Sequence, residues 1–247
     1  MGSSLLKGLI LANAINDYNI TVADPYVAEI PGFDKLDIKF TTDNKEATAG
    51  ADLIVVAVKP WIVSQVVKEI SSIVPENSQW AFILAGKSSE ELLATFDRKP
   101  SSIAIMMPNT AMGVGRSMTF MVPVFGENQQ GIKELFYKVG KVLEIEERQL
   151  PGAMALASCG LAFAMRYMRA ASEGGVELGF KADKALEIVC ETIKGATALI
   201  EHSPGTHPEV EIDKVTTPGG FTIKGLNAME KFGFTTSVIE GLKACQP

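Results

Sequence analysis

Leu53-Ile54-Val55-Val56-Ala57-Val58-Lys59-Pro60 is the stretch whose reading decides the fold. Its first six residues are apolar and mostly β-branched, too few for a core helix and well suited to a strand buried on both faces. Lys59-Pro60 then stops it, because proline has no N–H for a strand ladder. Working outward, Trp80–Leu84 repeats the pattern, and Ile103–Met107, Met118–Val122 and Val142–Ile145 read as further strands. Upstream, Asn19–Ala23 reads as a strand ending at Asp24-Pro25, and Asp37–Thr41 as a weaker one. Helical spacing fills the intervals. Residues 2–15 place Leu5, Leu6, Leu9, Ile10 and Ala12–Ile15 on helical positions, Ile62–Ile73 is amphipathic, and Ser89–Phe96 is a short helix. Strand and helix in regular alternation predict an α/β unit with a doubly wound, mostly parallel (Rossmann-like) sheet.

The character changes at Leu150-Pro151-Gly152. Beyond it the pattern is helical throughout: 152–178, 182–201, a short helix near Glu209–Val215, one starting at Pro218-Gly219-Gly220, and one over Thr236–Ala244. Two domains are therefore expected, an α/β domain over 1–150 and an all-helical domain over 151–247. The helices 152–178 and 182–201 are apolar on more than one side, which predicts a helix-interleaved homodimer or a larger homo-oligomer.

Composition excludes several classes of function. A net charge of −6 and a pI near 5.1 argue against nucleic acid as a partner, while a local positive pocket can still take a small anion. The longest apolar run, Ala153–Met165, has about 13 residues, short of the roughly 20 that cross a bilayer, and no signal peptide is visible. Cys159, Cys190 and Cys245 are far apart in sequence and odd in number, which points to a reducing cytoplasm rather than a disulfide framework. His202 and His207 share one loop with no third ligand nearby, so they read as surface histidines and no metal is expected.

A dinucleotide-binding unit opens with a strand, a Gly-x-Gly-x-x-Gly turn, and a helix whose N-terminus faces the pyrophosphate. The sequence Met1-Gly2-Ser3-Ser4-Leu5-Leu6-Lys7-Gly8 stands on the helix side of that turn. In this frame Gly2 is the third glycine, Ser3 follows it, and the first strand and first two glycines are not in the sequence. That strand is central in the doubly wound order, so a gap between two strands is expected. Asp24 ends the next strand, where an acidic side chain can accept both ribose hydroxyls of NAD. No Lys or Arg follows until Lys35, which leans towards NAD over NADP. An ordinary turn at Asp24-Pro25 is the alternative.

Several stretches resemble the pyrroline-5-carboxylate reductase family. Ala57-Val58-Lys59-Pro60 is similar to its strand-end motif, Met107-Pro108-Asn109-Thr110 to its Pro-Asn-Thr-Pro turn, and Ala157-Ser158-Cys159-Gly160-Leu161-Ala162-Phe163 to its Gly-Ser-Gly-Pro-Ala-aromatic segment. Asp213-Lys214-Val215-Thr216-Thr217-Pro218-Gly219-Gly220-Phe221-Thr222-Ile223 is close to its Asp-x-Val-Thr-Ser-Pro-Gly-Gly-Thr-Thr-Ile signature, and Gly225-Leu226, Met229-Glu230 and Gly233-Phe234 continue the match. The residues support this reading physically. Pro218 at a helix start presets φ, Gly219 and Gly220 admit close backbone approach, and the N–H groups of Gly220, Phe221 and Thr222 favour a carboxylate.

The resemblance implies reduction of 1-pyrroline-5-carboxylate to L-proline by hydride transfer from NADPH or NADH. It implies cofactor contacts from Gly2, Ser3, Asp24, Ala57, Val58, Lys59, Pro60 and Asn109, and substrate contacts from Thr217, Gly219, Gly220, Phe221 and Thr222. Thr222 is the catalytic candidate, its hydroxyl near the ring nitrogen. A protonated imine accepts hydride readily, so positioning carries the rate, which suits a sequence with no His or Cys placed for acid–base work. Residues 1–150 would then be the dinucleotide-binding domain, N-terminally incomplete, and 151–247 the dimerisation and substrate domain, with the substrate site completed by the partner subunit. The sequence departs from the family pattern at four places: Ala111 and Leu161 replace prolines, Phe221 is bulky, and Gly205-Thr206 stands where many members carry an acidic residue. Two other readings remain open, a related imine or β-hydroxyacid reductase, and a non-catalytic dimeric relative that binds the cofactor poorly.

Overall fold

The computed structural model describes residues 1–26, 38–84 and 86–245. They divide into two compact units, Met1–Ser158 and Cys159–Pro247. In the first unit the chain runs α1 (Gly2–Leu11), β1 (Thr21–Ala23), β2 (Lys39–Thr41), α2 (Asn44–Thr48), β3 (Leu53–Val56), α3 (Val63–Ile70), β4 (Gln79–Ile83), α4 (Ser89–Leu93), β5 (Ser102–Met107), β6 (Ser117–Phe125), α5 (Gln130–Tyr137), β7 (Gly140–Glu144) and α6 (Leu150–Ala153). The strand-and-helix alternation read from the sequence is therefore present. Asp37 and Lys35 lie outside the described residues.

The strands form two sheets. β1 and β2 pair in parallel, and β3-β4-β5-β6-β7 form a five-stranded sheet in that order. β3, β4 and β5 are mutually parallel, β6 is antiparallel to β5, and β7 is parallel to β6. The sheet is thus mixed and mostly parallel. Among the described residues no backbone pairing joins β1 to β3, which is where the gap was expected. The apolar run 53–58 shows the consequence. Ile54 and Val56 are buried with Val63, Val67, Trp80 and Phe82, whereas Leu53 and Val55 are only partly buried. Burial on both faces holds for β5 and for β4 from Trp80 onward, but not for β3, because β3 is an edge strand.

Helix α1 holds the two sheets together. Leu5 and Leu9 join the cluster that includes Leu53, Val55, Ala57, Ala81 and Met106. Leu6 and Ile10 pack instead with Ile20, Val22, Ile38 and Phe40 of the two-stranded side. α2 is tied to α3 by the Asn44 side-chain amide donating to Glu69 Oε2 at 3.0 Å. α1 is shorter than its apolar pattern, ending at Leu11; Asn13 then takes a left-handed turn (φ 57°) into a single 3-10 turn at Ala14–Asn16. α3 is likewise shorter, preceded by a 3-10 turn that Pro60 opens.

The packing of α1 depends on a missing side chain. A Cβ at Gly8 would stand 2.2 Å from the Met112 carbonyl oxygen and 2.8 Å from Val139 Cγ1. No rotamer relieves a clash between Cβ and backbone, so only glycine lets the helix lie this close.

In the second unit, α7 (Gly160–Glu177) and α8 (Ala182–His202) form an antiparallel pair, followed by α9 (Pro208–Lys214), α10 (Phe221–Lys231) and α11 (Phe234–Lys243). The single helix expected over 152–178 is interrupted: Met154–Cys159 is a six-residue π-helical segment between α6 and α7. Gly175 sits where a Cβ would be 2.9 Å from Ala185 Cβ, which sets the closeness of α7 to α8. Among the described residues of this unit Ala185 alone is buried, while Phe163, Met165, Tyr167, Leu186, Ile188 and Leu199 remain exposed. No helix among the described residues is long and apolar enough to cross a membrane.

The Gly8 contact gives a stability prediction. Gly8→Ala forces α1 away from residue 112 and should cost about 2–3 kcal/mol in chemical denaturation, as overpacking does. A variant as stable as the parent would show that α1 is not held as described.

Candidate functional site

The candidate residues fall into two groups, one in each unit. In the first unit, α1, the segment after β3 and the turn after β5 come together. α1 begins at Gly2 with Met1 as its cap residue, no side-chain cap and no acidic residue in the first turn. Ser4 and Leu5 donate their amides to the Met1 carbonyl at 2.9 and 3.0 Å, so the remaining first-turn N–H groups of Gly2 and Ser3 point out of the helix end. A Cβ at Gly2 would lie 3.6 Å from Ala57 Cβ, which places that end directly against the residues that follow β3. There Ala57, Val58 and Pro60 are half-exposed, and the exposed Lys59 has its Nζ 6.0 Å from the exposed Trp61 ring centroid.

Asn109 is buried at the end of β5 and is fully engaged. Its Oδ1 accepts from the Ala111 amide at 3.1 Å, its Nδ2 donates to the Ala157 carbonyl at 3.1 Å, and its own amide donates to Ser117 Oγ at 3.2 Å. Ser117 Oγ is in turn 3.0 Å from Thr119 Oγ1. Asn109 thus caps the 3-10 turn Thr110–Val114 and straps the chain at Ala157 to the sheet. That turn carries Met112 and packs on α1, so Asn109 positions the helix through the turn. Asp24 follows β1, and its Oδ1 accepts the Tyr26 amide at 2.8 Å. One carboxylate oxygen therefore closes the local turn. Gly8 and Ser117 are the positions here that the sequence motifs did not single out; a glycine six residues beyond Gly2 on one helix was the available signal for the first.

A nicotinamide dinucleotide fits this group of residues in part. The uncapped, acid-free end of α1 is suited to a pyrophosphate, and Gly2 against Ala57 allows backbone approach. A central strand with its glycine turn is not among the described residues.

The second group is the stretch 217–222. Pro218 does not begin the helix, as the sequence suggested. Pro218-Gly219 forms a tight turn closed by the Gly220 amide donating to the Thr217 carbonyl at 2.9 Å, with Gly219 left-handed at φ 73°. This is the turn for which proline followed by glycine is best suited. Gly220 is then the cap residue of α10, again with no side-chain cap and no acid in the first turn. A Cβ at Gly220 would stand 2.5 Å from Thr217 Oγ1 and 3.0 Å from the Thr217 carbonyl oxygen, so this position also requires glycine. The amides of Phe221 and Thr222 emerge from a bare, positively polarised end beside the Thr222 hydroxyl. The Phe221 side chain is 92% exposed and projects outward, with Lys224 Nζ 5.9 Å from its ring centroid. It does not narrow the turn within its own chain.

His207 has a local role: its Nδ1 accepts the Glu209 amide at 3.2 Å and caps α9. Among the described residues no three His, Cys, Asp or Glu side chains cluster as metal ligands would.

Comparison with known proteins agrees over the whole chain. Residues 147–247 match the family description "Pyrroline-5-carboxylate reductase dimerisation", and residues 1–79 match "NADP oxidoreductase coenzyme F420-dependent". Pyrroline-5-carboxylate reductase 1 of Dictyostelium discoideum is 33% identical over 98% of this chain, which spans 46% of that protein's length. Pyrroline-5-carboxylate reductase 3 of Danio rerio is 30% identical over 99% of this chain and 85% of its own. The crystal structure of Plasmodium falciparum pyrroline carboxylate reductase with NADP bound superposes with a TM-score of 0.84 at 26% identity, covering 99% of this chain and 91% of that one. The chain belongs to the pyrroline-5-carboxylate reductase family.

Proposed function

We propose that this protein reduces 1-pyrroline-5-carboxylate to L-proline with NADPH or NADH. The observation that carries the reading is the 217–222 turn, where Thr217, Gly219, Gly220, Phe221 and Thr222 build a small anion cradle at the start of α10. The amides of Phe221 and Thr222 bind the substrate carboxylate, and the Thr222 hydroxyl holds the ring nitrogen by a hydrogen bond. Gly2, Ser3, Ala57, Val58, Lys59 and Pro60 hold the dinucleotide, with Asp24 on a ribose and Asn109 shaping the wall of the site from behind. The bound nicotinamide supplies a hydride for C5 of the imine. The imine enters already protonated, so the chain's task is to bind and orient, and no strong general acid is required.

Residues 1–150 act in this reading as the dinucleotide-binding domain and 151–247 as the dimerisation and substrate domain. The exposed apolar faces of α7 and α8 support a homodimer or larger homo-oligomer, in which the partner subunit completes the substrate site over Phe221. The three cysteines are free thiols, consistent with the cytoplasm.

The direct test is NADPH and NADH oxidation by the purified chain with 1-pyrroline-5-carboxylate. Substrate-dependent oxidation is expected, and reduction of other cyclic imines or keto acids alone would assign a related reductase instead. Thr222→Val should lower kcat/KM about 10–100-fold through loss of one hydrogen bond to the reacting ring. Gly220→Ala should raise KM for the imine about tenfold by pushing Thr217 out of place; normal kinetics in both variants would remove this turn from the site.

A further inference from the structure

Two of the three cysteines, remote in sequence, meet in the helical unit. α11 lies against α7 with the opposite chain direction. The Tyr167 and Phe234 rings pack edge to face at 6.4 Å, and a Cβ at Gly241 would touch the Phe163 ring at 3.8 Å. Positions 159, 163 and 167 recur every four residues on one face, and 234, 241 and 245 likewise share a face of α11 and its end. Extending the two contacts by one turn brings Cys159, the last residue of the π-helical segment, opposite Cys245. Cys159 is the neighbour that acts on the Cys245 thiol, and both residues are partly exposed free thiols. Cys190, on α8, has no place in this ladder.

We propose that Cys159 and Cys245 are a redox pair that closes to a reversible intramolecular disulfide, joining the start of α7 to the end of α11. The neighbouring Cys159 sulfur, followed by partial desolvation, holds the Cys245 thiol above its ordinary pKa. With hydrogen peroxide, Cys159 sulfur takes one oxygen as sulfenic acid and one water leaves. The Cys245 sulfur then displaces that oxygen, which departs as a second water, and the S–S bond forms. Two thiols lose two electrons and two protons, and peroxide is reduced to two waters. A dithiol reverses the step by taking the bond's two electrons and becoming a disulfide itself. The bond would close a loop of about 85 residues and sit two positions from Ala157, whose carbonyl Asn109 holds.

The full chain, reduced and then exposed to hydrogen peroxide or to oxidised glutathione, is digested without reductant and mapped by mass. A single 159–245 linked peptide is expected, about 2 Da lighter than the two reduced peptides together. A rise in Tm of about 5 °C or more should accompany it, lost on adding dithiothreitol, absent from Cys159→Ser and Cys245→Ser, and kept in Cys190→Ser. The parent map decides the question even where a serine variant folds poorly. Glutathione adducts or sulfinic acid without the linked peptide, a disulfide between two chains, or a bond to Cys190 would each overturn the proposal.

Discussion

The approach of α1 to the turn at Met112 is the constraint on which the first unit rests. With a carbonyl oxygen 2.2 Å from where a Cβ would be, Gly8 is the residue that lets this helix lie flat on the five-stranded sheet. Everything at the front of the unit inherits its position from that contact. The first turn of α1 reaches Ala57 because the helix is pressed against the sheet, and Met112 is where it is because Asn109 caps the turn that carries it. Asn109 in turn is fixed by Ser117 and by the carbonyl of Ala157. The candidate cofactor end is thus the outer end of a chain of backbone and amide contacts that begins in β5 and β6.

The same helix explains how a divided sheet stays one unit. β1 and β2 are only three residues each, and they make no ladder with β3. α1 supplies the connection with two faces of one helix, Leu5 and Leu9 towards the large sheet and Leu6 and Ile10 towards the small one. Open strand edges are normally covered or blunted, and the half-buried Leu53 and Val55 show that β3 retains the composition of an interior strand while lying at an edge. Both candidate sites begin with a bare, acid-free helix end, whose amides favour an anion.

Much of this was legible in the residues. Unbroken apolar runs located β3, β4 and β5, and the chain beyond Leu150-Pro151-Gly152 is helical, as its spacing suggested. What escaped depends on distances that spacing alone does not carry. The Asp43 cap over Asn44–Thr48 and the Ile132, Leu135, Phe136 spacing of α5 are local signals that the broader alternation obscured. The double role of Asn109 required knowing that Ala157 passes beside it. Cys159 and Cys245 looked unrelated until the antiparallel register of α7 and α11 aligned them. Pro218 was read as the first residue of a helix, but the left-handed Gly219 after it turns the chain first, and the helix waits until Phe221.

The central claim is that the end of α1 against Ala57 holds a pyrophosphate-bearing cofactor with the residues this chain possesses. Calorimetric titration of NADPH into the purified protein, repeated across a range of salt and with inorganic pyrophosphate as competitor, tests it most directly. The account predicts one cofactor per chain, affinity that weakens as salt rises, and displacement by pyrophosphate. Absence of binding, or binding indifferent to both salt and pyrophosphate, would contradict it.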